Sequence, residues 1–372
     1  MRVFAGAGEA SGDRILAAVI RELRARRPDL ALAGFGGPFA AREGLTSPYP
    51  LRDLAVNGIG DVLRRGAFLL RARARLLREL EAFEPDAVLL VDYPGMNIPL
   101  ARAARRAGVP VLYIAPPQLW AYRNPARRLA RLRRRLPGVH LQVLFPFETA
   151  SFPGWNPPPA QGHFFPQPAF ESARERGGTR LLLCAGSRRG VLRRNLPLWL
   201  SRVRGFFGTL EGVEVLVPDY LVDDARAICG DDPTITTDRA AAFARAGAAI
   251  AFPGTVTLEL FLARVPTRVW GVIDPLTYLV ARRVLRGPSD GRIALPNVIA
   301  QEVVLPEWIG TAADFRRAPP EIPARREDWN PGATPEAVHA VWTAMGSGEG
   351  PRRAAETLSA LTGRAASRCG SD

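Results

Sequence analysis

Short apolar runs alternate with amphipathic stretches along most of the chain, the pattern of repeated strand–helix units around a largely parallel sheet. Arg2 to Ala7 reads as a strand, followed by a glycine-rich turn and a helix from about Asp13 to Arg27. Leu30 to Gly34, Ala87 to Asp92, Val109 to Ile114 and Val139 to Phe145 read as further strands. After residue 168 the alternation restarts. Arg180 to Cys184, Val213 to Val217, Ala248 to Phe252 and Arg268 to Val272 are predicted strands. Leu192 to Phe207, Asp238 to Ala246, Thr255 to Ala263 and Pro335 to Met345 are predicted helices. Beyond Gly363 the tail reads as frayed.

Pro153 to Pro168 is rich in proline, glycine and aromatic residues and marks a domain boundary. A chain of 372 residues exceeds the usual size of one domain. The expected organisation is therefore α/β, with two Rossmann-like domains facing across a cleft, at 1–165 and 166–345, and a C-terminal helix or tail at 346–372. Open α/β sheets bind ligands beyond the carboxyl ends of their strands, so the residues that follow strands carry the functional argument.

The first such segment is Gly6-Ala7-Gly8-Glu9-Ala10-Ser11-Gly12-Asp13. Its last glycine falls one residue too late for the dinucleotide fingerprint. Glu9 and Asp13 suit a helix N-terminus but would repel a diphosphate. The segment reads as a base-bearing or hydroxyl-binding loop, or alternatively as a glycine turn with an aspartate cap. Asp92 ends an apolar strand and precedes Tyr93-Pro94-Gly95-Met96-Asn97, a place where a carboxylate is either functional or bonded to nearby backbone N–H groups. The run Ala115 to Arg123, with Trp120 and Tyr122, could floor a sugar or acyl pocket.

The second half has the opposite polarity. Gly186, Ser187 and Arg188 follow a strand and open a helix, a combination that suits a diphosphate through backbone N–H groups and bidentate guanidinium contacts. Gly254 and Thr255 occupy another strand-to-helix junction, where the threonine bonds a phosphate or caps the helix. Glu259, one turn further on, could accept from a ribose. An acidic loop in one half and a basic loop in the other is what transfer from a nucleotide sugar to an alcohol requires.

Composition narrows the classes. The chain holds 50 basic residues, all arginine, against 36 acidic ones, a net charge of +14. That excess fits phosphorylated metabolites, an anionic membrane or nucleic acid. Nucleic acid is the weakest fit, since no patch interleaves arginines with aromatic residues. Three scattered cysteines and three scattered histidines predict neither a disulfide framework nor a metal centre. No secretory signal is expected, because Glu9 and Asp13 interrupt the first apolar run. Arginines alternate with leucines and Phe68 from Leu63 to Leu77, which reads as a lipid-interface helix or as a core helix with a solvated basic face.

In this order, the residues resemble the lipid-A-disaccharide synthase family. The similarity is carried by Gly8 to Asp13, Asp92 with Pro94 and Asn97, Pro117–Trp120–Arg123 and Phe145-Pro146-Phe147-Glu148. It continues through Gly162-His163, Gly186-Ser187-Arg188, Gly254-Thr255 with Glu259, and Leu295-Pro296-Asn297. The resemblance implies a GT-B-like fold and transfer of 2,3-diacylglucosamine from UDP to 2,3-diacylglucosamine 1-phosphate, a lipid-linked acceptor. It implies UDP-sugar binding by Gly186, Ser187, Arg188, Gly254, Thr255, Glu259 and Asn297, with Asp92 and Glu9 as catalytic candidates. It requires no cofactor or metal, and places the protein in the cytoplasm, peripheral at the inner face of the cytoplasmic membrane. A homodimer is compatible with it. The chain departs from the family pattern at Val191, Pro253 and Gly95, which keeps two alternatives open. One is a related UDP-sugar transferase or epimerase with another acceptor; the other is a non-catalytic UDP-sugar-binding protein.

Overall fold

The computed structural model describes residues 1–55, 58–168, 177–285, 292–324, 326–329 and 333–369. The described parts of 1–55, 64–164 and 345–372 form one compact unit, and those of 56–63 and 165–344 form another. Each unit is built on a six-stranded sheet in which every neighbouring pair is parallel.

The first sheet contains β1 (Arg2–Ala7), β2 (Ala31–Phe35), β3 (Ala87–Val91), β4 (Val111–Ile114), β5 (His140–Val143) and β6 (Ala160–Gln161). Their spatial order is β2-β1-β3-β4-β5-β6. The chain therefore steps outward from β1 to β2, then returns to place β3 on β1's other side. In the second sheet are β7 (Arg180–Cys184), β8 (Val213–Leu216), β9 (Thr234–Thr236), β10 (Ala246–Ala251), β11 (Thr267–Val272) and β12 (Glu307–Gly310). Their order is β12-β11-β10-β7-β8-β9, so direction reverses between β7 and β10. These are the doubly wound orders, whose ligand crevice lies at the reversal. Strands β6, β9 and β12 escape a periodicity reading because they have only two to four residues, too few to show alternation.

Helices cover the sheets through ordinary apolar stripes. The helix Ala10–Arg26 buries Leu16, Val19, Ile20 and Leu23, positions spaced to share one face. In the second unit, Trp199 of the helix Arg189–Phe207 meets Trp270 of β11 edge-on at 6.1 Å, and Trp270 meets Phe315 at 5.8 Å. Asn195 of the same helix donates to the Val191 and Val272 carbonyls, both at 3.0 Å, and accepts from Val272 N–H at 2.8 Å, pinning the helix to the end of β11.

The C-terminal helix Gly350–Cys369 packs on the helix Ala10–Arg26 and beside β3 and β4, returning the end of the chain to the first unit. It runs on to Cys369 instead of fraying after Gly363. Ala354, Ala355 and Leu358 form its buried face. Two glycines permit the return. A Cβ on Gly162 would lie 2.8 Å from the Gly350 Cα, and one on Gly350 would lie 2.6 Å from the His163 carbonyl oxygen. The Gly162-His163 pair thus clasps the returning chain, with His163 N–H bonded to Ser347 O and Gln142 Nε2 to Gly350 O, each at 3.0 Å.

The arginine-rich helix Gly58–Phe83 buries Ala72, Leu76 and Leu80 in the first unit. Phe68 stacks edge-on against Tyr49 at 5.6 Å, and Arg75 pairs with Glu79 at 2.9 Å. Leu69 and Leu77 are half-buried and Leu70 is exposed, while the side chains of Leu63 and Arg64 lie outside the described residues. From residue 65 on, this geometry is that of a core helix with a solvated basic face. Among the described residues, no helix is long and apolar enough to cross a membrane.

Asp13 ties the first strand's helix to the second strand's loop. It is fully buried, and its carboxylate accepts from Gly37 N–H at 2.7 Å, Phe39 N–H at 2.9 Å and Ala40 N–H at 3.1 Å. These are the otherwise unsatisfied donors at the start of the short helix Pro38–Arg42. Burial pushes the carboxyl above the usual carboxylate range, and the three N–H groups oppose that rise. Asp13→Ala strands three donors at once. We expect it to lower unfolding free energy by about 3 kcal/mol in urea titrations, with Asp13→Asn losing less because one acceptor oxygen remains.

Candidate active site

The two sequence-predicted loop sets fall at the two strand-order reversals. In the first sheet, Gly6 pairs with Leu90 and Ala7 with Val91, so β1 and β3 end level. Glu9 and Asp92 consequently emerge from adjacent strands at the same edge. Both are half-buried. Glu9 occupies the N-cap position of the helix Ala10–Arg26 in extended conformation, without a side-chain cap bond. Asp13, the second carboxylate of that loop, points away into the cap described above. It therefore belongs to the scaffold.

Asp92 and Tyr93 are consecutive left-handed residues, with φ of 47° and 48°. Non-glycine residues in this region cost about 1–3 kcal/mol each and persist only where the surroundings overdetermine them. Here they do. Asp92 N–H donates to Ile114 O at 2.9 Å. The Asp92 carbonyl accepts from Asn97 Nδ2 at 2.7 Å and from the Tyr113 hydroxyl at 2.8 Å. Asn97, fully buried, also donates to Val91 O at 3.0 Å. The Tyr93 hydroxyl reaches back to Leu54 O at 2.6 Å. Burial, reinforced by the charge of Asp92, holds the Tyr113 hydroxyl well above its ordinary pKa, so it remains a donor.

Gly8 locks the two loops together. A Cβ there would sit 2.2 Å from the Tyr93 ring, so the ring can lie across the β1 loop only because position 8 has no side chain. Beyond β4 and β5, Phe145 stacks on Phe147 at 5.8 Å and Trp120 meets Phe147 edge-on at 5.7 Å. Trp120 Nε1 donates to Glu148, whose other oxygen caps the N–H groups of Leu144 and Phe145. Glu148 is thereby a structural brace beneath an aromatic surface, its carboxyl raised by burial against these donors.

In the second sheet Cys184 pairs with Ala251, and Phe252 N–H donates to Cys184 O at 2.9 Å, so the β7 and β10 loops also emerge side by side. Gly186 has φ of +106°, and a Cβ there would approach Val191 Cγ1 to 2.6 Å. Val191 is 1% exposed and packs beneath the loop. Arg188 is the half-buried N-cap of the helix Arg189–Phe207, and Ser187 O accepts from the Tyr220 hydroxyl at 2.7 Å. Arg189 is committed elsewhere: its Nε pairs with Asp224 at 2.8 Å, as does Arg193. Gly254 caps the helix Thr255–Leu262 with open space where its Cβ would be, and its carbonyl accepts from the Thr257 hydroxyl at 2.8 Å.

Glu259 and Asn297 stand behind these loops. The Glu259 side chain is 7% exposed and pairs with Arg239 at 2.6 Å. Asn297, fully buried, donates to Leu305 O at 2.7 Å and to Glu307, and accepts from the N–H groups of Val304 and Leu305. Both ends of its amide are engaged in holding its own helix to the chain before β12. Cys184 lies beside the loops, but burial pushes its thiol up to about 12, so it is no thiolate nucleophile. Among the described residues, no cluster of His, Cys, Asp and Glu could hold a metal. The sequence pattern passed over Tyr93, Tyr113, Tyr220 and Arg239. Tyr113, the one side chain with a polar tip in an apolar strand, was the available signal.

Residues 3–321 match the sequence family described as lipid-A-disaccharide synthetase. The chain belongs to the lipid-A-disaccharide synthase family. It is accordingly a glycosyltransferase of lipid A biosynthesis. The family's synthase from Trichlorobacter lovleyi is 32% identical over 374 residues, covering 95% of this chain and 96% of its own. That of Geobacter metallireducens is 32% identical over 340 residues and 86% of each chain. Among solved structures, the UDP-GlcNAc 2-epimerase from Neisseria meningitidis bound to UDP-GlcNAc aligns with a TM-score of 0.53 at 13% identity, over 96% of this chain and 99% of its own. CalG4, the calicheamicin glycosyltransferase, aligns at 0.52 and 16% identity, over 98% and 99%. These likenesses establish the fold that the family member shares, two Rossmann-like units of the GT-B kind.

With Asp92 as the catalytic candidate, the contact between Gly8 and Tyr93 yields a prediction for activity. Gly8→Ala must displace the ring, and with it the backbone that aims Asp92. Sugar-transfer turnover should fall about 10- to 100-fold, as misplacement by roughly an ångström does. Unchanged turnover would show that the ring turns aside without moving Asp92.

Proposed function

We propose that this family member is an inverting transferase that moves 2,3-diacylglucosamine from UDP to 2,3-diacylglucosamine 1-phosphate. The observation that carries the reading is the opposite polarity of the two strand-order reversals. The first unit presents Glu9 and Asp92, and the second presents Gly186, Ser187 and Arg188 beside Gly254 and Thr255. In this reading the second unit binds the donor. Backbone N–H groups at the start of the helix Arg189–Phe207 and the Arg188 guanidinium hold the diphosphate. Glu259, steadied by Arg239, accepts from the ribose. Asn297 supports the site by fixing the helix Leu295–Ala300, which packs on the helix Thr255–Leu262.

The first unit binds the lipid-linked sugar phosphate. Asp92 takes the proton of the acceptor hydroxyl as its oxygen attacks the anomeric carbon of the donor. The bond from that carbon to the β-phosphate oxygen breaks, and UDP leaves with the electron pair and the charge that Arg188 offsets. Attack opposite the leaving group inverts the configuration. A lipid acceptor also implies peripheral contact with the inner face of the cytoplasmic membrane. A different acceptor is the second reading, favoured by the departures from the family pattern at Val191, Pro253 and Gly95. Screening UDP release against hydroxyl acceptors separates the two.

Two substitutions test the division of labour. Arg188→Ala should weaken UDP binding by about 1.5–3 kcal/mol in calorimetry, the range for a charge-assisted hydrogen bond, and Arg189→Ala should do less because Asp224 already holds Arg189. Unchanged UDP affinity in Arg188→Ala would move the diphosphate elsewhere. Asp92→Asn keeps the shape but cannot accept a proton, so turnover should fall at least about 100-fold with UDP affinity nearly unchanged. If Glu9→Gln proves the more damaging and Asp92→Asn stays active, the base lies in the glycine loop.

A further inference from the structure

Ten of the chain's 50 arginines, and none of its 36 acidic residues, lie between Tyr93 and Phe147. The fold concentrates them further. The helices Pro94–Arg106 and Pro125–Arg135 both end at the amino edge of the first sheet, one leading into β4 and the other into β5. Around the Pro137–Gly138 turn, Arg102, Arg105, Arg106, Arg134 and Arg135 line a hollow of about 400 Å³. Arg105 braces the turn, donating to Pro137 O and Val109 O, both at 3.4 Å. Gly138 makes room for it, since a Cβ there would lie 3.0 Å from the guanidinium. Among the described residues, no carboxylate pairs with any of the five.

Arginine in a helix's last turn offsets the unsatisfied carbonyls there, which is a reason for Arg105, Arg106, Arg134 and Arg135 taken helix by helix. It is no reason for the two helix ends to converge with Arg102 on one hollow where, among the described residues, no carboxylate pairs with them. Gathering like charges in one place raises the energy of the folded state unless an anion neutralises them. Guanidinium groups match phosphate oxygens bidentately and keep their charge at every accessible pH. The lining holds no aromatic ring on which a nucleobase could stack, which disfavours nucleic acid.

We infer that this hollow is a second anion site, specific for closely spaced phosphate groups. It is separate from the proposed transfer site, because the 13-residue helix Pro94–Arg106 starts at the carboxyl edge beside Asp92 and carries its arginines about 12–18 Å along its axis toward the opposite edge. The inference goes beyond the proposed donor and acceptor binding and does not depend on it. The phosphates come either from a soluble polyphosphate or from the headgroups of an anionic lipid.

The test uses the full chain, the double variant Arg106→Glu/Arg134→Glu, and a control, Arg204→Glu/Arg226→Glu, that removes equal charge from exposed positions in the second unit. Inorganic tripolyphosphate is titrated in by calorimetry at low salt. Flotation with phosphatidylcholine vesicles containing 30% phosphatidylglycerol provides the second arm. A thermal unfolding curve unchanged from the parent's checks the fold of each variant. We expect saturable binding in at least one arm, weakened at least 10-fold by the first pair and by less than 2-fold in the control. Loss in the vesicle arm alone identifies a headgroup site, and loss with tripolyphosphate identifies a soluble ligand. Equal weakening by both pairs would reduce the effect to net charge and overturn the inference. So would absence of binding in both arms, or tighter binding of a single-stranded oligonucleotide than of tripolyphosphate.

Discussion

Because every neighbouring pair of strands in both sheets is parallel, each strand must be followed by a crossover, and all strands of a sheet end along the same edge. That constraint decides where chemistry can be placed. Interior strands are hydrogen-bonded on both sides and largely buried, so a polar side chain within one needs a partner, as Gln142 finds in Gly350 O and Glu214 in Arg245, and most polar residues appear where the strands stop. The reversal of strand order then opens a crevice at one point along the edge. It lies between β1 and β3 in the first sheet and between β7 and β10 in the second. Glu9, Asp92, Gly186, Arg188, Gly254 and Thr255 all follow one of these four strands.

In the proposed reading the two units solve opposite electrostatic problems. The first aims a carboxylate, on backbone strain held by Tyr113, Asn97 and the Tyr93 ring lying over Gly8. The second, in that reading, presents donors to an anion. It uses a left-handed glycine over a buried Val191, with competing arginines such as Arg189 diverted to Asp224. Several motif residues serve these arrangements indirectly. Asp13 caps a helix, Glu148 braces an aromatic surface, Gly162 admits the returning chain, and Asn297 secures its own helix.

The basic character of the chain likewise has two kinds of origin. Many arginines sit on solvated faces or in pairs, as Arg75 does with Glu79 and Arg245 with Glu214. The helix Gly58–Phe83, whose alternation of arginine and leucine allowed an interfacial reading, turns Ala72, Leu76 and Leu80 into the core. The arginines around Pro137 and Gly138 differ in having no acidic partner among the described residues. Two helices far enough apart in sequence to look independent bring them to one place.

The order of the longer strands, the opposite polarity of the strand-end loops in the two halves, and the positions of Glu9, Asp92, Arg188 and Thr255 on those loops were legible in the sequence. They depend on local periodicity and on residues adjacent to strand ends, which hydrophobic pattern records directly. The sequence alone left open whether the loop carboxylates act or cap, because that depends on which N–H groups lie nearby. Only the tertiary structure separated Asp13, with three buried donors from the β2 loop, from Asp92, held on a strained turn. It alone returned the C-terminal helix to the first unit through the close approach of Gly162 and Gly350. It alone gathered five arginines around one hollow. Each of these is a contact between segments distant in sequence, decided by how parallel strands stack side by side, and no local pattern of polar and apolar residues encodes it.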